Sequence, residues 1–123
     1  MKFFHFIGEE LLFIPVWVVD ENLLLVVVPS VSTFDSYERW KALILSRAFT
    51  HNCYILRANR IGEYKEKDLN WSFYGDSILA SPDGELLSHL GNKEELMLVD
   101  MSHTEVVQSR RAWGFKEMLN RRV

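Results

Sequence analysis

Two continuous apolar runs flank a helical pattern near the middle of the chain. Leu23 to Val28 shows no alternation, as expected of a strand covered on both faces rather than half exposed to water. Pro29 has no backbone N–H to continue a ladder and is predicted to end that strand. Asp35 followed by Glu38 reads as an N-cap with its capping-box partner. Tyr37, Trp40, Ile44 and Ala48 then recur at helical spacing, with Arg39, Lys41 and Arg47 between them. Cys53 to Leu56 is the second run. Strand, amphipathic helix and strand make a crossover unit of the length needed to lay two strands side by side.

Around this unit the patterns are shorter. Met1 to Ile7 reads as an edge strand or a lead-in. Gly8 to Val19 reads as a helix kinked or divided at Pro15, with Glu9 and Glu10 at its positive dipole end. Ile61 to Asn70 is expected to be a charged, mobile loop. Trp71 to Ala80 is predicted as a strand with Gly75 as a bulge or close-approach point. Ser81-Pro82-Asp83-Gly84 is a turn leading to a partner strand, Glu85 to Leu90, in a hairpin. Gly91 to Glu95 turns again, and Leu96 to Met101 reads as another apolar strand. Ser102 and Glu105 form a second capping-box pattern, opening a helix through about Ala112. Trp113 to Val123 is a tail that mixes apolar residues with charges.

Composition narrows the function classes. With 123 residues, 48% of them apolar, the chain is expected to form a single domain, residues 1–123. The net charge of −3, with both signs mixed along the chain, gives no basic surface fit for a nucleic-acid backbone. Arg110, Arg111, Arg121 and Arg122 are read as a solvated helix face or an interface rim. A lone cysteine forms no internal disulfide and suits a reducing, cytoplasmic setting. Glu9 and Glu10 break the apolar start as a signal peptide. Neither Leu11 to Val19 nor Leu23 to Val28 approaches the ~20 residues that span a bilayer, so no membrane partner is expected. His5, His89 and His103 are scattered without ligand spacing, and neither a metal nor a cofactor is expected. The adjacent carboxylates Glu9/Glu10 and Glu94/Glu95 point in different directions and are read as solvated.

Several pieces in order carry a resemblance: Val28 to Ser30 (VPS), Trp40 to Ala48 (W-x-x-L-x-x-x-RA), Asn52 to Gly62 (NCY-x-x-x-ANR-x-G) and Phe73 to Gly84 (FYGDS-x-x-x-x-P-x-G). Together they resemble the later half of the nitrilase superfamily of carbon–nitrogen hydrolases. The resemblance implies an α/β fold, the C-terminal part of an α-β-β-α sandwich, lacking the N-terminal half. It also implies hydrolysis of amides, nitriles or carbamyl groups by a cysteine nucleophile, a glutamate base and a lysine. A thiolate attacks the carbon, a carboxylate moves protons, and a fixed ammonium meets the developing charge.

The family's nucleophile would fall near Phe3 to Phe6, where this chain has Phe3, Phe4, His5 and Phe6. No catalytic residue is therefore assigned, and the isolated chain is expected to be a truncated, inactive hydrolase. Cys53, with His51 two residues before it, is weighed as a Cys-His pair, but its place at the head of a buried strand favours a core role. Thr50 and His51 stand where the family usually has glutamate and asparagine after RA. The resemblance points to Ser30, Phe34 and Tyr74 as a substrate-pocket wall at the carboxyl end of a central strand. A half-sandwich would leave apolar sheet surface open to water. Three readings follow: a homo-oligomer, such as a domain-swapped dimer; one half of a split amidase or nitrilase completed by a separate N-terminal-half polypeptide; or an interaction module without chemistry. A small amide or nitrile is the expected substrate only if the site is completed.

Overall fold

The computed structural model describes residues 2–5, 23–33 and 36–115. The expected Gly8 to Val19 helix, Phe34, Asp35, Arg121 and Arg122 lie outside these residues. Five strands form the main sheet in the order β1 (Lys2–His5), β2 (Leu23–Ser30), β3 (Tyr54–Asn59), β6 (Ile78–Ala80) and β7 (Leu86–His89). The first three run parallel, β6 runs antiparallel to β3, and β7 runs antiparallel to β6. Helix α1 (Tyr37–His51) is the crossover from β2 to β3. A two-stranded ribbon, β4 (Ile61–Glu66) and β5 (Leu69–Tyr74), stands apart, and α2 (His103–Trp113) closes the described chain.

Alternation along the strands divides the core between the two faces of the sheet. Val26, Val28, Ile55, Ile78 and Ala80 meet Ile44 and Ala48 of α1 on one face. Leu24, Tyr54 and Leu79 meet Val106 of α2 on the other. The unalternating run Leu23 to Val28 serves both, as its pattern predicts. A register shift opposite Lys2 and Phe3 lets β2 place Leu24 and Leu25 on the α2 side before Val26 returns to α1.

The first helix does not start where the capping-box pattern put it. Its N-cap is Ser36, whose side chain makes no cap bond and meets the Tyr74 hydroxyl at 3.1 Å instead. At its other end Asn52 takes the left-handed conformation (φ 48°) and donates through Nδ2 to the Phe49 carbonyl and to Ser109 Oγ, both at 2.9 Å. One buried amide thus ends α1 and ties it to α2. In α2 the predicted pair is split by a third residue. Ser102 caps the Thr104 N–H at 3.2 Å, while its own N–H donates to Tyr54 Oη at 3.1 Å and the Tyr54 hydroxyl donates to Glu105. The reciprocal bond of a capping box is relayed through a tyrosine of the sheet.

Several expectations are corrected. Pro29 lies within β2, paired with Ala58; the described β1 ladder ends at Val27, so no N–H is missed there. Ile61 to Asn70 is a hairpin rather than a loop, turning at Lys67 (φ 50°) and Asp68. Its charges sit on a ribbon wet on both faces and so show no apolar alternation. Tyr64 packs on Trp71 with ring centroids 5.7 Å apart, and Arg60 lies 4.2 Å over Phe73. Trp71 to Ala80 is two strands, divided at Gly75 to Ser77. Leu96 to Met101 is not a strand: Met97 and Val99 tuck against the second core while Leu96 and Leu98 are 81% and 85% exposed. The alternation is that of a strand, but the described residues offer no ladder partner. Arg110 is not simply solvated, since its Nη2 donates to the Leu23 carbonyl at 2.6 Å. Among the described residues no helix is long and apolar enough to cross a membrane.

Replacing Tyr54 by Phe leaves the Ser102 N–H without this acceptor and removes a bond to a carboxylate. We expect a loss of about 1–3 kcal/mol in denaturant unfolding. Burial raises the Tyr54 hydroxyl above its ordinary pKa of 10.0, and the bond to Glu105 adds to the rise. The unfolded tyrosine therefore ionises first. Its contribution is intact below pH 10 and declines as pH rises through the folded value, a decline that Tyr54→Phe should lessen.

Candidate functional site

The parallel strands β2 and β3 end together at Ser30 and Asn59, which are paired in register. Ligand-contacting loops in open α/β sheets gather at such carboxyl ends. Here the backbone stops pairing and side chains take over. Asn59 Oδ1 accepts from Ser30 Oγ and from the Ser32 N–H, both at 3.0 Å, while its Nδ2 donates to the Gly75 carbonyl at 2.7 Å. Its own N–H donates to Ser77 Oγ at 2.9 Å. One asparagine fixes the loop after β2 and the break between β5 and β6.

Gly75 makes that break possible. At φ +74° a side chain is strained, and a Cβ there would stand 2.4 Å from the Gly91 carbonyl oxygen and 2.8 Å from Ile61 Cγ2. The predicted close approach is present, though it ends a strand rather than bulging one.

Beside Asn59, on the α1 face, lies Arg57. Its side chain is fully buried. Nη2 donates to Ser32 Oγ at 2.9 Å and to Tyr74 Oη at 3.0 Å. Because Tyr74 accepts from arginine, its own proton is available to Ser36 Oγ at 3.1 Å. The guanidinium carbon lies 4.5 Å from the centre of the Trp40 ring and 5.7 Å from that of Tyr74, within cation–π range. Burial pulls the guanidinium below its ordinary pKa, opposed by the Tyr74 hydroxyl and by the charge of Asp76. Asp76 is itself bonded to His89 at 2.7 Å, and His89 stacks on Tyr37 with centroids 4.5 Å apart.

Of the residues named from sequence, Ser30 and Tyr74 belong to this one network, joined through Asn59, Ser32 and Arg57. Phe34 lies outside the described residues. Arg57 was missed, although the signal existed: it is the single charge directly after the Cys53 to Leu56 run, and period-two alternation puts it with Ile55 under α1. Cys53 is fully buried in the α1-side core. His51 turns Nδ1 to Thr50 Oγ1 and to the Arg47 carbonyl, both at 3.0 Å. Glu94 and Glu95 are exposed at the rim of a cavity of about 290 Å³ that reaches Asn59 and Ser77. Among the described residues no three of His, Cys, Asp or Glu are grouped to hold a metal.

Comparison with known proteins places these features in a family. The model of the carbon–nitrogen hydrolases matches residues 24–111. N-carbamoylputrescine amidase of Solanum tuberosum is 31% identical over 112 residues, which are 87% of this chain and 35% of that protein. A Staphylococcus aureus protein named as a hydrolase in the agr operon is 30% identical over 73 residues, 59% of this chain and 26% of its own length. The chain thus spans about a third of the length of the first of these relatives. A carbon–nitrogen hydrolase from Helicobacter pylori superposes with a TM-score of 0.81 at 19% identity, covering 94% of this chain and 45% of its own. Nit3 of Saccharomyces cerevisiae, of the nitrilase superfamily, gives 0.73 at 20% identity over 90% and 41%. At these identities the structures establish a shared fold.

Two substitutions test the packing of the cluster. Asn59→Ala leaves the Ser32 N–H and the Gly75 carbonyl without their partner and should destabilise by about 2–4 kcal/mol. Gly75→Ala meets backbone as well as strain, for about 2–5 kcal/mol. Gly62→Ala, at φ +93° with open space around it, should cost about 1–2 kcal/mol. Chemical denaturation of the three variants checks the order.

Proposed function

Since the chain belongs to the carbon–nitrogen hydrolase family, we propose that it builds one wall of an amide-hydrolysing site and does not cleave substrate by itself. The observation that carries this reading is the position of Cys53. It is the chain's single thiol, it lies directly before β3, and it is fully buried in one cluster with Val26, Ile44 and Ile55. A nucleophilic cysteine needs an accessible, electropositive setting that holds it as thiolate. Nucleophile, base and lysine then come from outside residues 1–123, and the cluster of Ser30, Arg57, Asn59 and Tyr74 is this chain's part of the pocket. The relatives named N-carbamoylputrescine amidase make carbamyl and simple amides the substrates to try first.

The exposed Leu96 and Leu98, and the exposed Leu86 and Leu87 of β7, favour a covering partner. A second copy of this chain or a separate polypeptide would serve.

The purified chain should release no ammonia from a panel of carbamyl and aliphatic amides. Cys53→Ala should lower stability by about 1 kcal/mol, the scale of a small buried group, and the native thiol should react with iodoacetamide only as fast as the protein opens. Ammonia release by the purified chain that disappears in Cys53→Ala would overturn the proposal.

A further inference from the structure

Arg57 is held by hydroxyls on one nitrogen only. Both bonds described for it, to Ser32 Oγ and Tyr74 Oη, use Nη2. Its Nε and Nη1 are buried and have no hydrogen-bond partner among the described residues. Neutral hydroxyls do not balance the charge, and Asp76, whose charge acts on it, is bonded to His89. A buried guanidinium with unused N–H groups and no carboxylate bonded to it among the described residues is unfavourable unless something completes it. The surroundings fix it regardless: Trp40 stacks on the plane, and the two hydroxyls set its rotation about the Nη2 corner.

We propose that Arg57 is the receptor for a carboxylate, which accepts from Nε–H or Nη1–H at the carboxyl ends of β2 and β3. The proposal rests on reading this cluster as a pocket wall and adds the chemistry that the wall selects. A carboxylate matches the single charge of Arg57 better than a doubly charged anion such as phosphate, and Asp76 already contributes negative charge to it. Access lies close by. Ser32, Trp40 and Tyr74 are only partly buried, and Val31 and Thr33 on either side of Ser32 are exposed, so Arg57 lies one side chain beneath the surface. The same group can come from a small carboxylic acid or from an Asp or Glu side chain of a polypeptide packed against this end of the sheet.

The test uses the full chain, labelled with ¹⁵N, and propionate as the probe. Propionamide serves as its uncharged isostere and chloride as the ionic-strength control. The Arg57 Nε–H resonance should shift saturably with propionate, and the midpoint of thermal unfolding should rise with it. Propionamide should bind at least about tenfold more weakly, the difference expected when a charge-assisted bond becomes a neutral one. Light scattering on the same samples separates the sources. An unchanged mass during the shift marks an open site for a small acid. A mass that falls as propionate binds marks a site filled by a neighbour's side chain. Arg57→Gln, which keeps N–H donors without the charge, should lose the preference for propionate. The comparison on the unaltered chain decides the point even if that variant does not fold. Equal responses to propionate and propionamide, a response shared with chloride, or no shift at Arg57 would overturn the proposal. Ammonia assays play no part in it, so its failure leaves the reading of Cys53 standing.

Discussion

At the carboxyl ends of β2 and β3 the sheet runs out of backbone partners, and the Asn59 side chain supplies what the ladder no longer does. Its amide accepts from the loop after β2 and donates to the break between β5 and β6. Those bonds place Ser32 over Arg57 and set Gly75 against the backbone of Gly91. Buried polar groups of this kind stay favourable only while each is satisfied, so the arrangement is all or nothing. Arg57 is the exception within it, and for that reason it is the residue on which a ligand has most to act.

The scaffold beneath is a sheet with two different faces. On the α1 face the contacts are aliphatic until they reach Trp40 and Arg57, where the core gives way to the polar cluster. On the α2 face Tyr54 reaches out of the core to the first turn of the helix and binds both Ser102 and Glu105. Asn52 joins the two systems by bonding Phe49 at the end of α1 and Ser109 in α2. The helices therefore depend on polar groups of β3 and its approach, not on apolar packing alone.

The crossover unit was legible because its signals agree: two unalternating runs with an amphipathic helix between them leave little choice of architecture. The turn at Ser81 to Gly84 was legible for a similar reason, since proline fixes φ and glycine permits the positive φ taken at Gly84. The ribbon β4–β5 was not, because strands wet on both faces carry no periodic burial and Lys67 is an unusual residue at positive φ. Leu96 to Met101 misled in the opposite sense, having the alternation of a strand and no neighbour to pair with among the described residues. At the site, Ser30 and Tyr74 were reached through family resemblance. Arg57 was overlooked because a charge in a strand is ordinarily read as an outward-facing position. Alternation with Ile55 puts it on the α1 face, and the approach of Trp40 and Tyr74, set by the tertiary fold, shows what it meets there.

The chain matches the carbon–nitrogen hydrolases over residues 24–111 and buries its single cysteine, which is why we propose that residues outside it complete the site. The most direct measurement is the native mass of the protein purified from its source, with every polypeptide in the peak identified. The account predicts a mass above 14.5 kDa, made up by a second copy or by a chain that brings a reactive cysteine. A stable monomer that hydrolyses amides would contradict it.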